Sequence, residues 1–234
     1  MRILLTRPHD QSLATAALLR EAGHEALIAP MLRIEPVDAP PFPTKDVAAL
    51  AVTSARAVEE LRKRPECAAL SSLPAFAVGG RTAEALRTAG FTATAAAAGD
   101  AQALAETAID RLAPSAGVIL YPCGCERRGE LDEALVASGF TVRLVELYRA
   151  RMVETLPEDI RVDLAQGRID RVMIYSQRTG EAFLHALKAA NIDPAALHVL
   201  AISRQAGAPL EQTGARISVS VRPDEASLLE LLAA

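Results

Sequence analysis

The chain has 234 residues, half of them hydrophobic and 23% charged, with a formal net charge of −4. That balance belongs to a folded globular protein and not to a disordered chain, with enough residues for one large domain or two modest ones. Net acidity, the lack of tryptophan and an aromatic content of 3% exclude a general nucleic-acid binder, which needs basic patches and stacking platforms.

The N-terminal stretch MRILLTRPHD loses its apolar character after Leu5, and no apolar run approaches the roughly 18 residues of a membrane span. A cytoplasmic location without leader or span is the expectation. RILLT at 2–6 reads as a strand and SLATAALLREAGHE at 12–25 as a helix. In that helix Ser12 suits an N-cap, Leu18, Leu19 and Ala22 share a face, and Gly23 is placed to end it. ALIAP at 26–30 gives another short strand. MLRIEPVD at 31–38 is extended in pattern and runs into the proline-rich APPFP. From there strand-length apolar runs alternate with helix-length amphipathic stretches to the end of the chain, the pattern of parallel sheets covered by helices.

Later segments echo earlier ones in a circular order. ALAVTSARAVEEL at 49–61 resembles VMIYSQRTGEAFLHAL at 172–187, and AFAVGGRTAEALRTAGF at 75–91 resembles HVLAISRQAGAPLEQTGA at 198–215. AAAAGDAQALAETAI at 95–109 resembles SVSVRPDEASLLELL at 218–232. The unit from Gly117 to Tyr148 has its echo at the N-terminus. One set of four units predicts a continuous domain over 40–145. The other predicts a split domain made of 1–34 and 154–234, with linker strands at 35–39 and 146–153 and a cleft of variable width between the two domains. The competing explanation is the general self-similarity of βα units.

A polar turn follows each strand, and in open α/β sheets the ligand crevice lies at those strand ends. The turns hold Thr6 and Arg7; Thr53, Ser54 and Arg56; Gly80, Arg81 and Thr82; Arg127 and Arg128; Ser176, Gln177 and Arg178; Ser203 and Arg204. A cation near a helix N-terminus is disfavoured by roughly 0.3–1 kcal/mol. Arginine in all six turns of an acidic protein therefore points to a ligand bearing several anionic groups, met by amides, hydroxyls and guanidinium forks. Taken singly, each arginine fits equally well a surface pair with a neighbour such as Glu59, Glu84, Glu126 or Glu181.

Known catalytic signatures are missing. No GxxxxGK[ST], GxGxxG or GxSxG occurs, and His9, His24, His185 and His198 lie far apart in sequence. Cys123 and Cys125 are too close for an unstrained disulfide, and with Cys67 they lack the paired spacing of a zinc site. We expect no metal and no cofactor, and read the two cysteines as small side chains around Gly124 in a tight turn. An enzyme of this composition works by positioning its substrate more than by acid–base groups.

The chain resembles the uroporphyrinogen-III synthase family. The likeness rests on LLTRP at 4–8, VTSARAVEEL at 52–61, VGGRTAEAL at 78–86, YPCGCERRGEL at 121–131, VELYRA at 145–150, YSQRTGEAF at 175–183 and RPDEASLLELL at 222–232, in that order over nearly the full length. It implies two similar parallel-sheet, flavodoxin-like α/β domains joined by a two-strand linker. It also implies a substrate, hydroxymethylbilane, a linear tetrapyrrole with eight carboxylates, closed to a macrocycle with inversion of ring D and loss of water. Tyr148 takes the family position that assists the departing hydroxyl. Thr82 and Ser176 match substrate-contacting turn positions, and Ser54, Arg56 and Gln177 lie in matching turns. Arg7, Arg127, Arg128, Arg178 and Ser203 complete the expected substrate-binding set. The turn at 202–206, ISRQA, lacks the Gly and Thr that many members carry there. No helix face demands a partner, so a monomer is expected, and the resemblance allows hand-over of substrate from the preceding pathway enzyme. Two alternatives use the same turns: a non-catalytic bilobal protein that binds a phosphorylated or polycarboxylate ligand, and a tetrapyrrole-binding regulator that does not invert ring D.

Overall fold

The structure is a computed structural model and describes residues 1–127 and 129–233. The chain divides into two compact units, one made of Met1–Ile34 with Arg151–Ala234 and the other of Glu35–Ala150. In chain order the first segment of the split unit holds β1 (Arg2–Leu5), α1 (His9–Glu21) and β2 (Glu25–Ile28), followed by β3 (Leu32–Pro36) at the passage to the other unit. The continuous unit carries β4 (Val47–Val52), α2 (Ala55–Arg62), α3 (Cys67–Leu70), β5 (Ala75–Ala77), α4 (Gly80–Thr88) and β6 (Thr94–Ala96). It ends with α5 (Ala101–Ile109), β7 (Val118–Gly124), α6 (Glu130–Ala137) and β8 (Thr141–Met152). The split unit is completed by α7 (Glu158–Ala165), β9 (Arg171–Ile174), α8 (Gln177–Ala189), β10 (His198–Ala201), α9 (Arg204–Gly207), β11 (Arg216–Val219) and α10 (Glu225–Glu230).

Among the described residues the strands form a five-stranded sheet, ordered β11-β10-β9-β1-β2, and a six-stranded sheet, ordered β3-β8-β7-β4-β5-β6. The pairs β1–β2, β1–β9, β9–β10 and β10–β11 are parallel, as are β4–β5, β5–β6, β4–β7 and β7–β8. Each such step needs a crossover, and the intervening helices supply it. Alternate residues face opposite layers. In β4, Leu50 and Val52 enter the core beneath α2 and α4, whereas Ala49 and Ala51 pack toward α5 and α6. In β1, Leu4 joins the core of α8, and Ile3 and Leu5 join that of α1. Burial on both faces is why these strands read as nearly unbroken apolar runs.

Local signals decided the helix ends only in part. Gly23, at φ +78, closes α1 with its N–H on Arg20 O and that of His24 on Leu19 O, the glycine-terminated end expected from the sequence. The start differs. The helix begins at His9 after Pro8, and Ser12 lies inside it with its hydroxyl donating to Arg7 O. Its buried face is Ser12, Thr15, Ala16 and Leu19, whereas Leu13 and Leu18 are exposed. The buried face is therefore rotated away from the one that Leu18 and Ala22 suggested.

The residues expected as a linker strand at 146–153 are largely a continuation of β8, whose register with β7 runs to Tyr148. β3 lies beside β8. Val37 N–H donates to Leu147 O and Val153 N–H to Met31 O, so the outgoing and returning strands are antiparallel. β7 also extends through Gly124, so Cys123 is a buried strand residue and the turn begins only at Cys125.

Leu50 and Phe183 are fully buried in different units. We expect Leu50→Ala to cost about 2–5 kcal/mol and Phe183→Ala about 3–5 kcal/mol. Urea unfolding monitored by circular dichroism checks both, and an unshifted midpoint for either would contradict the packing described.

Candidate functional site

In a parallel sheet every strand ends at the same edge, so the turns after β1, β9 and β10 share one edge of the split unit. Those after β4, β5 and β7 share the corresponding edge of the continuous unit. The polar residues named from the sequence occupy those positions, except Tyr148, which lies within β8, and Arg128, which falls outside the described residues.

In the continuous unit Ser54 caps α2, its Oγ accepting from Arg56 N–H at 3.1 Å. The Ser54 hydroxyl also lies beside the Tyr148 phenol, and the Arg56 charge acts on the same group. Burial pushes the Tyr148 phenol above its ordinary pKa. The Ser54 hydroxyl and Arg56 oppose that rise, while the nearby Glu126 carboxylate adds to it. Thr82 is only 5% exposed. It sits in the first turn of α4 behind Gly79, which offers no capping side chain, so this turn presents mainly backbone N–H groups. Arg81 is exposed and lines a groove of about 580 Å³ between α2 and α4, with Ala55, Val58 and Arg62.

In the split unit Ser176 caps α8 through Thr179 N–H and lies 2.8 Å from the Thr179 hydroxyl. Ser203 caps α9 through Ala206 N–H. Gln177 is held between Glu181 and Gln205, at 2.9 and 3.2 Å. Arg178 is half-buried and engaged with its surroundings.

The arginines do not form the uniformly uncompensated set that helix-dipole reasoning suggested. Arg7 pairs with Glu225 at 3.3 Å, donates to Gln11 and stacks 4.2 Å from the centroid of the Tyr175 ring. Arg56 pairs with Glu59 at 3.1 Å and with the buried Glu60 at 3.2 Å. Arg127 pairs with Asp132 and Glu146, both at 3.4 Å. Of the four glutamates the sequence offered as partners, Glu59 is used in this way. Glu84 pairs with Arg87, Glu126 accepts from Ala150 N–H and Glu181 accepts from Gln177. Most partners come from positions remote in sequence or beyond the same turn, which local inspection does not find. Among the described residues, Arg81 and Arg204 are the exposed members of the set without a carboxylate partner.

Sequence reasoning passed over one feature. Tyr175 joins Arg7, Thr15 and Glu225 in one knot, where burial pushes its phenol up to about 12. Only the stacking-prone Arg and Tyr types hinted at this, since the residues come from separate elements. Cys123, read from the sequence as a small turn residue, lies buried in β7, where burial pushes its thiol up to about 12 and disfavours the thiolate. Among the described residues no group of three or more His, Cys, Asp or Glu is placed to hold a metal ion, and no helix is long and apolar enough to cross a membrane.

The family described as Uroporphyrinogen-III synthase HemD matches residues 14–230. No curated protein matches the sequence significantly. A solved uroporphyrinogen-III synthetase from Helicobacter pylori superposes with a TM-score of 0.70 at 19% identity, covering 100% of this chain and 99% of that one. A mutant uroporphyrinogen III synthase from the extremely thermophilic bacterium Thermus thermophilus superposes with a TM-score of 0.60 at 20% identity, covering 100% and 97%. These likenesses extend the shared fold across the full length. With nearly the whole sequence matched, the chain belongs to the uroporphyrinogen-III synthase family, the cyclising lyases of tetrapyrrole and heme biosynthesis.

Proposed function

We propose that this chain closes hydroxymethylbilane to uroporphyrinogen III, using polar strand-end turns of two similar flavodoxin-like domains to select one folded geometry of the substrate. Strand order supports the similarity. Read from β9, the split unit runs β9, β10, β11, β1, β2 and the continuous unit runs β4, β5, β6, β7, β8. Both then give the spatial order 3-2-1-4-5. Read from its own N-terminus, the split unit has the flavodoxin order 2-1-3-4-5. A circular shift therefore relates the two, in agreement with the sequence echoes, and β3 and β8 carry the chain between them.

The observation that carries the catalytic reading is the Tyr148 phenol, half-buried beside Ser54 and Arg56 at a strand-end edge. Burial keeps it protonated, the form a donor needs. The substrate's first pyrrole pushes out the hydroxyl of its hydroxymethyl group. The C–O bond breaks, the oxygen takes the phenol proton and leaves as water, and the carbon skeleton is left as a cationic azafulvene. Ring D attacks through its substituted carbon to form a spiro intermediate, which fragments and recloses with the ring reversed. Loss of a proton on reclosure restores the phenol. Because the substrate closes by itself without inversion, orientation supplies most of the effect, with proton donation added.

The eight carboxylates are met by mixed donors. Helix N-terminal amides behind Gly79, Ser176 and Ser203, the Ser176 and Ser203 hydroxyls and the exposed Arg81 and Arg204 donate directly, while Ser54 faces Tyr148. Arg7, Arg56, Arg127 and Arg178 serve more to hold the turns, and the α2–α4 groove has room for apolar ring edges beside the Arg81 cation. Ser12 and Thr15, inside α1, take no part in this set.

Fresh hydroxymethylbilane, incubated with and without the protein and resolved into type I and type III uroporphyrinogens, tests the reading directly. The type III isomer should dominate with protein, and a type III yield at background would overturn it. Tyr148→Phe should lower kcat on the order of 10²-fold with native circular dichroism. Unchanged turnover removes Tyr148 from the reaction. Since burial raises the phenol above its ordinary value of about 10, kcat should hold across neutral and mildly alkaline pH and fall only above pH ~10. A falling limb near pH ~8 that Tyr148→Phe abolishes would contradict that placement.

A further inference from the structure

We propose that Gly124 and Ser54 are positioning residues for Tyr148, the glycine by leaving space for the end of its ring and the serine by orienting its hydroxyl. This rests on the reading of Tyr148 as proton donor. The β7–β8 ladder steps one for one from Val118 opposite Thr141 to Cys123 opposite Glu146 and then jumps to Gly124 opposite Tyr148, leaving Leu147 as an extra residue on β8. Such a bulge bends the strand and re-aims the side chain that follows it. Cys125 N–H donates to Tyr148 O at 2.9 Å, which pins the backbone just beyond the bulge.

The bulge brings the phenol down onto residue 124. A Cβ added there would lie 2.8 Å from both Cε2 and Cζ of Tyr148 and 3.2 Å from its hydroxyl oxygen. The contact is with the hydroxyl end of the ring and not with its root, so a side chain at 124 displaces the atom that must meet the leaving group. Real Cβ contacts at 2.8 Å do not occur, and the ring has to move.

Ser54 stands beside the same hydroxyl. Its Oγ accepts from Arg56 N–H, which fixes the serine to the start of α2. A hydroxyl has one proton, and with a lone pair committed to the helix cap that proton can go to the Tyr148 oxygen. The phenol then keeps its own proton free for the substrate. Arg56, anchored by Glu59 and Glu60, stands beside the pair without being consumed by it.

A kinetic double-mutant cycle tests this, with Gly124→Ala, Ser54→Ala, Ser54→Thr and Tyr148→Phe alone and with the first two combined with Tyr148→Phe. Gly124→Ala and Ser54→Ala should each lower kcat on the order of 10-fold with KM little changed, since an ångström-scale misplacement suffices for that loss. Ser54→Thr, which keeps both hydroxyl and cap, should retain most activity. In the Tyr148→Phe background neither substitution should lower kcat further, because groups acting through one residue are non-additive. If Tyr148→Phe is slow but the two losses appear undiminished in its background, or if neither single substitution slows turnover, the positioning proposal is overturned while the donor reading stands. If Tyr148→Phe turns over like the unaltered protein, the donor reading itself fails and the proposal with it. Should Gly124→Ala not fold, the serine series decides by the same comparison.

Discussion

In a parallel sheet all strands finish at the same edge, and every connection must return through a helix that starts there. That constraint gathers the polar turns of this protein. Apolar strands buried on both faces have nowhere to carry function except their ends, and the first turns of the following helices bring unpaired N–H groups to the same place. Ser54, Ser176 and Ser203 stand at equivalent points because each caps the helix that leaves such an edge. The arrangement donates hydrogen bonds by construction, which suits a substrate whose periphery is a set of carboxylates.

Charge is organised on a second principle. Arg7, Arg56 and Arg127 are held by carboxylates from within their own units, so their helix N-termini are not left with uncompensated cations. Partly buried pairs of this kind cost desolvation and return rigidity, and removing one partner leaves the other stranded. Arg7, Arg56 and Arg127 are thereby fixed and help to shape their own turns, whereas Arg81 and Arg204 are exposed. Turns of this kind offer hydrogen-bond donors more than acid–base groups, in keeping with the lack of histidine, metal-ligand or nucleophile motifs in the sequence.

Much of the architecture was legible in advance. Alternating apolar and amphipathic runs gave parallel α/β layers, and the echo of residues 49–109 in 172–232 anticipated the matching strand orders. Gly23 marked a helix end because the left-handed conformation is costly for any residue with a Cβ. Other local readings failed where a signal had two solutions. Ser12 can cap a helix or sit inside one, and Pro8 one turn earlier offered an equally good start. Apolar spacing in α1 was ambiguous because Leu13, Leu18 and Leu19 fit more than one face, and only the sheet beneath chose Leu19. The strand β8 was divided between domain and linker because an extended sequence does not record where its neighbour stops.

For the site, the sequence by itself determined which residue types stand at the strand ends, since those follow from the chemistry of helix starts and from local turn signals. It also determined the family, through short motifs kept in order. Tertiary structure alone decided which of those residues meet. The pairing of Arg7 with Glu225 spans most of the chain, and the meeting of Gly124 with Tyr148 depends on one bulge in a ladder. Contacts of that kind are set by register and by the fall of distant helices onto a sheet, quantities to which all of the packing contributes and no short stretch of residues specifies.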